Sequence, residues 1–250
     1  MTRPRLAVLS LLISSALLPP TGAAAQWPPE SFTNLRVLPQ GIPVRELVGM
    51  MAGFTRALGV RCTYCHVGEE SMPLGEYDFA SDDRPTKRKA RLMLEMVEQI
   101  NSVHLAGLDE RAQPAVGVQC ITCHRGQRRP RMLQDVLIEA YDAGGIDSTF
   151  ATYHQLRDVE YGGFSYDFGE VPLADVGGSL AARGAVADAV RVHELNTRMN
   201  PESAHAYNSL AGALVAAADT AGAVRAFEWA LRIDPSNPVA TARLRQMGRR

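Results

Sequence analysis

The 250-residue chain has only four cysteines, all in two short clusters, so none is left over for other work. None stands directly after Ala23-Ala24-Ala25, where Gln26 follows, so no lipid anchor is expected after a leader cut at that point. Beyond residue 25 there is no apolar run long enough to span a bilayer. The net charge of −1 lacks the basic excess that nucleic-acid binding leaves, so no nucleic-acid partner is expected. A docking surface must then come from local patches and not from the overall field. Neither cysteine cluster has a persuasive acid–base pair beside it. Glu69 and Glu70 follow the first, but loop carboxylates of this kind are ordinarily solvated.

What is present is one five-residue pattern used twice, Cys62-Thr63-Tyr64-Cys65-His66 and Cys120-Ile121-Thr122-Cys123-His124. Cys-x-x-Cys-His is the attachment spacing of c-type haem. Two thiols three positions apart can form thioethers to the vinyl groups of one porphyrin. The next residue, His66 or His124, then sits where an imidazole takes the proximal iron position. Zinc is the bland alternative, but a zinc ribbon separates its halves by roughly 15–20 residues, far fewer than here. Disulfides or a redox dithiol would not need a histidine after both second cysteines. Two covalently bound haem c groups are expected.

Arg3 and Arg5, the apolar run Leu6–Leu18 and Ala23-Ala24-Ala25 read as a signal peptide over 1–25, with an uncleaved membrane anchor as the alternative. Export fits haem attachment, which in bacteria takes place outside the cytoplasm. A periplasmic protein is expected, with membrane association as the variant. A helix is expected from Pro43, with Val44, Leu47, Val48, Met51, Phe54 and Leu58 on one face and Gly59 as its stop. A second should begin after Ser81-Asp82-Asp83, carrying Lys87, Arg88, Lys89 and Arg91 on one side. Met93, Met96, Val97, Ile100 and His104 lie on the other. The basic cluster reads as a solvated face, with partner docking as the alternative. A methionine-bearing helix thus precedes each motif, and methionine is a common sixth ligand in electron-carrying haem proteins. Met50 competes with Met51, Met93 with Met96, and His104 is a rival.

Asn34-Leu-Arg-Val-Leu-Pro, Gly59-Val60-Arg61 before Cys62, Phe79-Ala-Ser-Asp-Asp83, Lys87-Arg-Lys-Ala-Arg91, Met96-Val-Glu-Gln-Ile-Asn101 and Thr122-Cys-His-Arg-Gly126 together resemble the photosynthetic reaction-centre cytochrome c subunit family, over roughly residues 30–130. The resemblance implies a helix–haem–helix fold, with the axial methionine on the helix preceding each motif. By register those residues are Met51 and Met96. The photosynthetic subunit has four haem motifs where this chain has two. The resemblance therefore implies haem-to-haem electron transfer without naming the partner.

After residue 170 the chain turns alanine-rich and helical. Tyr207, Leu210, Ala211, Leu214, Ala223, Phe227, Ala230 and Pro235 fit the 34-residue tetratricopeptide (TPR) register. Leu173, Val176, Gly177, Leu180, Ala189, His193, Asn196 and Pro201 repeat it one period earlier, with His193 and Asn196 replacing an aromatic and an alanine. Two repeats fall short of the usual three, so a helix expected over 147–161, or the cytochrome domain, should complete the stack. The expected fold is mostly α: a signal peptide (1–25), a dihaem cytochrome c domain (26–130), a linker with helices (131–169) and a TPR-like helical-hairpin domain (170–250). The expected function is one-electron transfer between redox proteins, with the tail docking a partner. The alternatives are a dihaem enzyme such as a peroxidase, or an assembly factor acting through its repeats.

Overall fold

The computed structural model describes residues 27, 29, 31–111 and 113–248; the expected signal peptide lies outside them. The described residues are mostly α-helical and fall into two compact units. The first runs up to Met50 and resumes over Cys62–Glu98; the second comprises Met51–Arg61 and the chain from Gln99 onward.

Helix α1 (Val44–Leu58) carries Glu46 in its first turn and Arg56 in its last, the signs that the helix dipole favours. It stops at Gly59, whose φ of 63° lies in the left-handed region. The Val60 amide then bonds back to the Thr55 carbonyl at 3.0 Å, closing a Schellman turn. Helix α2 (Pro85–Gln99) opens on its proline and continues as a π-helical turn, Ile100–Leu105. In the first unit α2 holds the loop before it, and here the expectation of a solvated basic face is corrected for Lys87 and Arg91, while Arg88 and Lys89 are exposed. Lys87 Nζ donates to the carbonyls of Phe79, Ala80 and Ser81 at 2.8–2.9 Å. Arg91 pairs with Asp82 at 2.8 Å and donates to the Asn34 carbonyl at 3.2 Å. Arg88 donates to the Asp82 carbonyl. Lys87, Arg88 and Arg91 form a brace because the acid and carbonyls they need lie in the turn just upstream.

In the second unit, α3 (Cys120–His124) is a single turn, and α4 spans Leu133–Glu160. Gly145, at φ 69°, breaks α4 in two. The buried Thr149 hydroxyl lies 3.5 Å from the Leu137 carbonyl, which a straight helix would carry about 18 Å away, so the halves form a hairpin. Two more hairpins follow: α5 (Glu170–Ala182) with α6 (Val186–Met199), and α7 (Ala204–Ala216) with α8 (Thr220–Ile233). The last helix, α9 (Pro238–Gln246), covers the end. Side chains cap these helices: Ser203 accepts from the Ala206 amide, Asp219 from Gly222 and Asn237 from Ala240.

Leu133, Leu137 and Tyr153 of α4 share one core with Leu173, Val176 and Leu180 of α5 and Val192 and Leu195 of α6. The α4 hairpin is therefore the third layer that two repeats alone would lack. Ala211, Phe227, Ala230 and Leu244 form a further cluster. The two atypical residues of the first repeat also fit. Asn196 is fully buried, donates to the Glu170 carbonyl at 2.8 Å and accepts from Asn200 at 2.8 Å. His193 packs over Gly177.

Candidate functional site

Both cysteine–histidine motifs lie on single tight turns. In the first, Cys62–Tyr64 is a 3-10 turn whose Cys62 carbonyl accepts from the amides of Cys65 at 3.2 Å and His66 at 2.9 Å. The Thr86 hydroxyl of α2 donates to the Tyr64 carbonyl and so fixes the turn from outside. His66 lies edge-on to Phe79 at 4.9 Å, and Phe79 packs against Trp27 at 4.7 Å and Tyr77 at 5.5 Å. The carbonyl of Phe79 is one of the three that Lys87 holds. Burial, with the Lys87 ammonium nearby, pushes the His66 pKa down, so its ring is neutral. Its Nδ1 is buried without a hydrogen-bond partner.

The second motif is framed from both directions. Upstream, the Asn101 side chain imitates a neighbouring strand: Nδ2 donates to the Val118 carbonyl at 2.8 Å, and Oδ1 accepts from the Val118 amide at 2.7 Å. The Gln119 amide then donates to the Thr122 hydroxyl at 3.0 Å, and α3 begins. Downstream the chain reverses through Arg125 (φ 47°) and Gly126 (φ 84°). The Gly126 amide donates to the Ala57 carbonyl at 2.8 Å. A methyl group on Gly59 would stand 2.1 Å from the Gly126 oxygen, so glycine permits this close approach. His124 Nδ1 lies 2.8 Å from the Gln127 carbonyl. A carbonyl only accepts, so Nδ1–H is the donor in this contact, and in the neutral ring Nε2 is then the nitrogen with the lone pair.

These sites fit covalent haem. All four cysteines are free thiols, and burial raises the pKa of Cys65 and Cys120. On α3, Cys120 and Cys123 are three apart and share a face. A carbonyl-bound Nδ1 is also how a ligating histidine is ordinarily oriented. Among the described residues no three histidine, cysteine or carboxylate side chains converge as a metal-ion site requires.

Met96 lies on α2 in the first unit, with Cys62, Cys65 and His66; Met51 lies on α1 in the second, with Cys120, Cys123 and His124. Met93 and Met96 are exposed on α2, near Leu92, and do not serve as core filler there. Met50 and Met51 are half-buried, and His104 is exposed in the π-helical turn. Asn101, Gln127 and Lys87 carry the framing, and spacing alone had not assigned them a role. Asn101 and Lys87 did stand within the segments that carry the family resemblance.

Known proteins match the front half of the chain. Residues 29–143 match the family described as photosynthetic reaction centre cytochrome C subunit. The photosynthetic reaction center cytochrome c subunit of Thermochromatium tepidum is 35% identical over 104 residues, covering 41% of this chain and 22% of that protein. Cytochrome c-554 of Chloroflexus aurantiacus is 28% identical over 134 residues, 46% of this chain and 30% of that protein. The chain thus spans less than a third of these relatives. Among solved structures, the first TPR domain of human RPAP3 aligns with 46% of this chain and 87% of that one, at 20% identity and TM-score 0.34. Over residues 29–143 the chain is similar to the photosynthetic reaction-centre cytochrome c subunits.

Proposed function

We propose that this protein is an exported dihaem c-type cytochrome that passes single electrons between redox partners in the periplasm. The observation that carries the reading is the His124 ring, whose Nδ1 is committed to the Gln127 carbonyl while Nε2 stays free on the same turn as two thiols. Cys62 and Cys65, and Cys120 and Cys123, would hold the two porphyrins. His66 and His124 would be the proximal ligands, and Met51 and Met96 the distal ones. When bound, haem supplies a one-electron ferric/ferrous couple.

The chain's contribution is to hold that couple with little rearrangement. Phe79 lies edge-on to His66 and is itself packed by Trp27 and Tyr77. The Asn101 and Gly126 hydrogen bonds hold the chain on either side of the His124 turn. The helical hairpins present a broad surface on which a protein partner docks.

The deciding experiment is expression with export and the haem-attachment machinery, followed by haem quantitation on denatured protein. Two haems per chain that resist acid-acetone extraction are expected, and one after Cys62→Ala with Cys65→Ala. Extractable haem, or bound zinc, would overturn the reading.

A further inference from the structure

We infer that Gln127 is a positioning residue for the second haem and ties its proximal imidazole to the turn that leads into the helical hairpins. This rests on the dihaem reading above. Both backbone groups of Gln127 engage His124: its amide donates to the His124 carbonyl at 2.8 Å, and its own carbonyl accepts from Nδ1 at 2.8 Å. Its side chain then leaves the motif altogether. Nε2 donates to the carbonyl of Ser165, 38 residues further along, at 2.7 Å.

The surroundings leave Gln127 little freedom. Gly126 before it is bonded to Ala57, and a methyl group there would stand 3.3 Å from the Ser165 hydroxyl and 3.7 Å from the Phe164 ring. Ser165 is itself buried. Three residues on, Phe168 is fixed edge-on to Tyr153 at 5.9 Å and Tyr161 at 6.1 Å, within the core shared by α4, α5 and α6. The plane of the His124 ring is therefore set by the helical array as well as by its own helical turn.

A carbonyl on Nδ1–H makes the imidazole a stronger donor at Nε2 and so favours ferric iron. Releasing the amide tether lets that carbonyl drift and should raise the potential of one haem while leaving the other where it was.

The test is potentiometric titration of the full haem-loaded chain as wild type, Gln127→Ala, Gln127→Leu and Phe168→Leu. Leu keeps much of the volume of Gln but has no N–H for the Ser165 carbonyl and adds no charge. The expected result is two covalent haems in every variant, one midpoint potential raised in both Ala and Leu, and the same haem moved less in Phe168→Leu. Unchanged potentials in the two Gln127 variants would overturn the inference, as would equal shifts of both haems. If the Gln127 variants do not fold, Phe168→Leu decides, and no shift there overturns it. Fewer than two covalent haems in the wild type sinks the dihaem reading instead, a failure visible before any variant is made.

Discussion

The imidazole of His193 lies against the α-carbon of Gly177, where an added methyl group would stand 2.4 Å from Nε2. The α5–α6 hairpin is closed by this contact: α5 offers no side chain, and α6 fills the gap with a ring where the repeat ordinarily has an aromatic. Gly177→Ala should therefore destabilise the array by overpacking, by about 1–3 kcal/mol. Urea denaturation followed by circular dichroism measures this, and a midpoint equal to that of wild type would show that α5 and α6 do not approach so closely.

The same ring makes the array sensitive to acid. Burial, reinforced by His205, holds the His193 pKa at about 4, well below the ordinary histidine value of 6.5. The folded state binds this proton less readily than the unfolded chain. The associated stability is thus fully present above pH 6.5 and is lost as pH falls toward 4, to the extent of roughly 3 kcal/mol. His193→Phe should flatten the slope of unfolding free energy over that window. An unchanged slope would assign the acid lability to other groups.

Much of this was legible in the sequence, and the limits have physical causes. Gly59 announced its break because a left-handed residue has a compositional signature. The hairpins announced themselves through a periodic pattern of small and large residues. Lys87 and Arg91 did not, because a charge on a helix reads as solvated unless its partners are known. Those partners, Asp82 and the carbonyls of residues 79–81, lie in an irregular turn. Gln127 was silent for a stronger reason: its partner is a backbone carbonyl 38 residues away, which no spacing rule reaches.

The brace itself can be tested. Lys87→Met keeps the length of the stem but leaves the carbonyls of Phe79, Ala80 and Ser81 without their shared donor. Loss of such a charged hydrogen bond costs on the order of 2–3 kcal/mol. Hydrogen exchange should show faster opening of residues 79–83 and little change in α7 and α8. Uniform acceleration across the chain would mean that Lys87 acts on global stability and not on this loop.

Asn101 makes a different prediction, because it acts before haem is attached. Its amide holds Val118, two residues ahead of Cys120, through a donor and an acceptor at once. Asn101→Asp keeps the acceptor and removes the donor, so the entrance to α3 should loosen. Haem content should fall below two per chain, with mass spectrometry of peptides placing the deficit at Cys120 and Cys123. Full loading of both motifs would confine Asn101 to a purely structural part.

The last prediction concerns the distal ligands, which separate a carrier from an enzyme. An iron held by both histidine and methionine has no vacant position, so carbon monoxide or peroxide enters only by displacing sulfur. Met96 and Met93 sit three residues apart on α2 and are equally exposed, at 43% each, so access alone does not choose between them. Register with the family pattern does, and it selects Met96 over Met93 and Met51 over Met50. Met96→Ala and Met51→Ala should each open one iron to carbon monoxide and lower one potential, since thioether ligation favours ferrous iron. Met93→Ala and Met50→Ala should do neither. Combining each methionine variant with loss of one cysteine pair then assigns every thioether to its iron, through the spectrum of the single haem that remains. Wild-type protein should not bind carbon monoxide at neutral pH. A high-spin ferric haem in the resting protein, or substantial peroxide turnover, would move the function from electron carrier to haem enzyme.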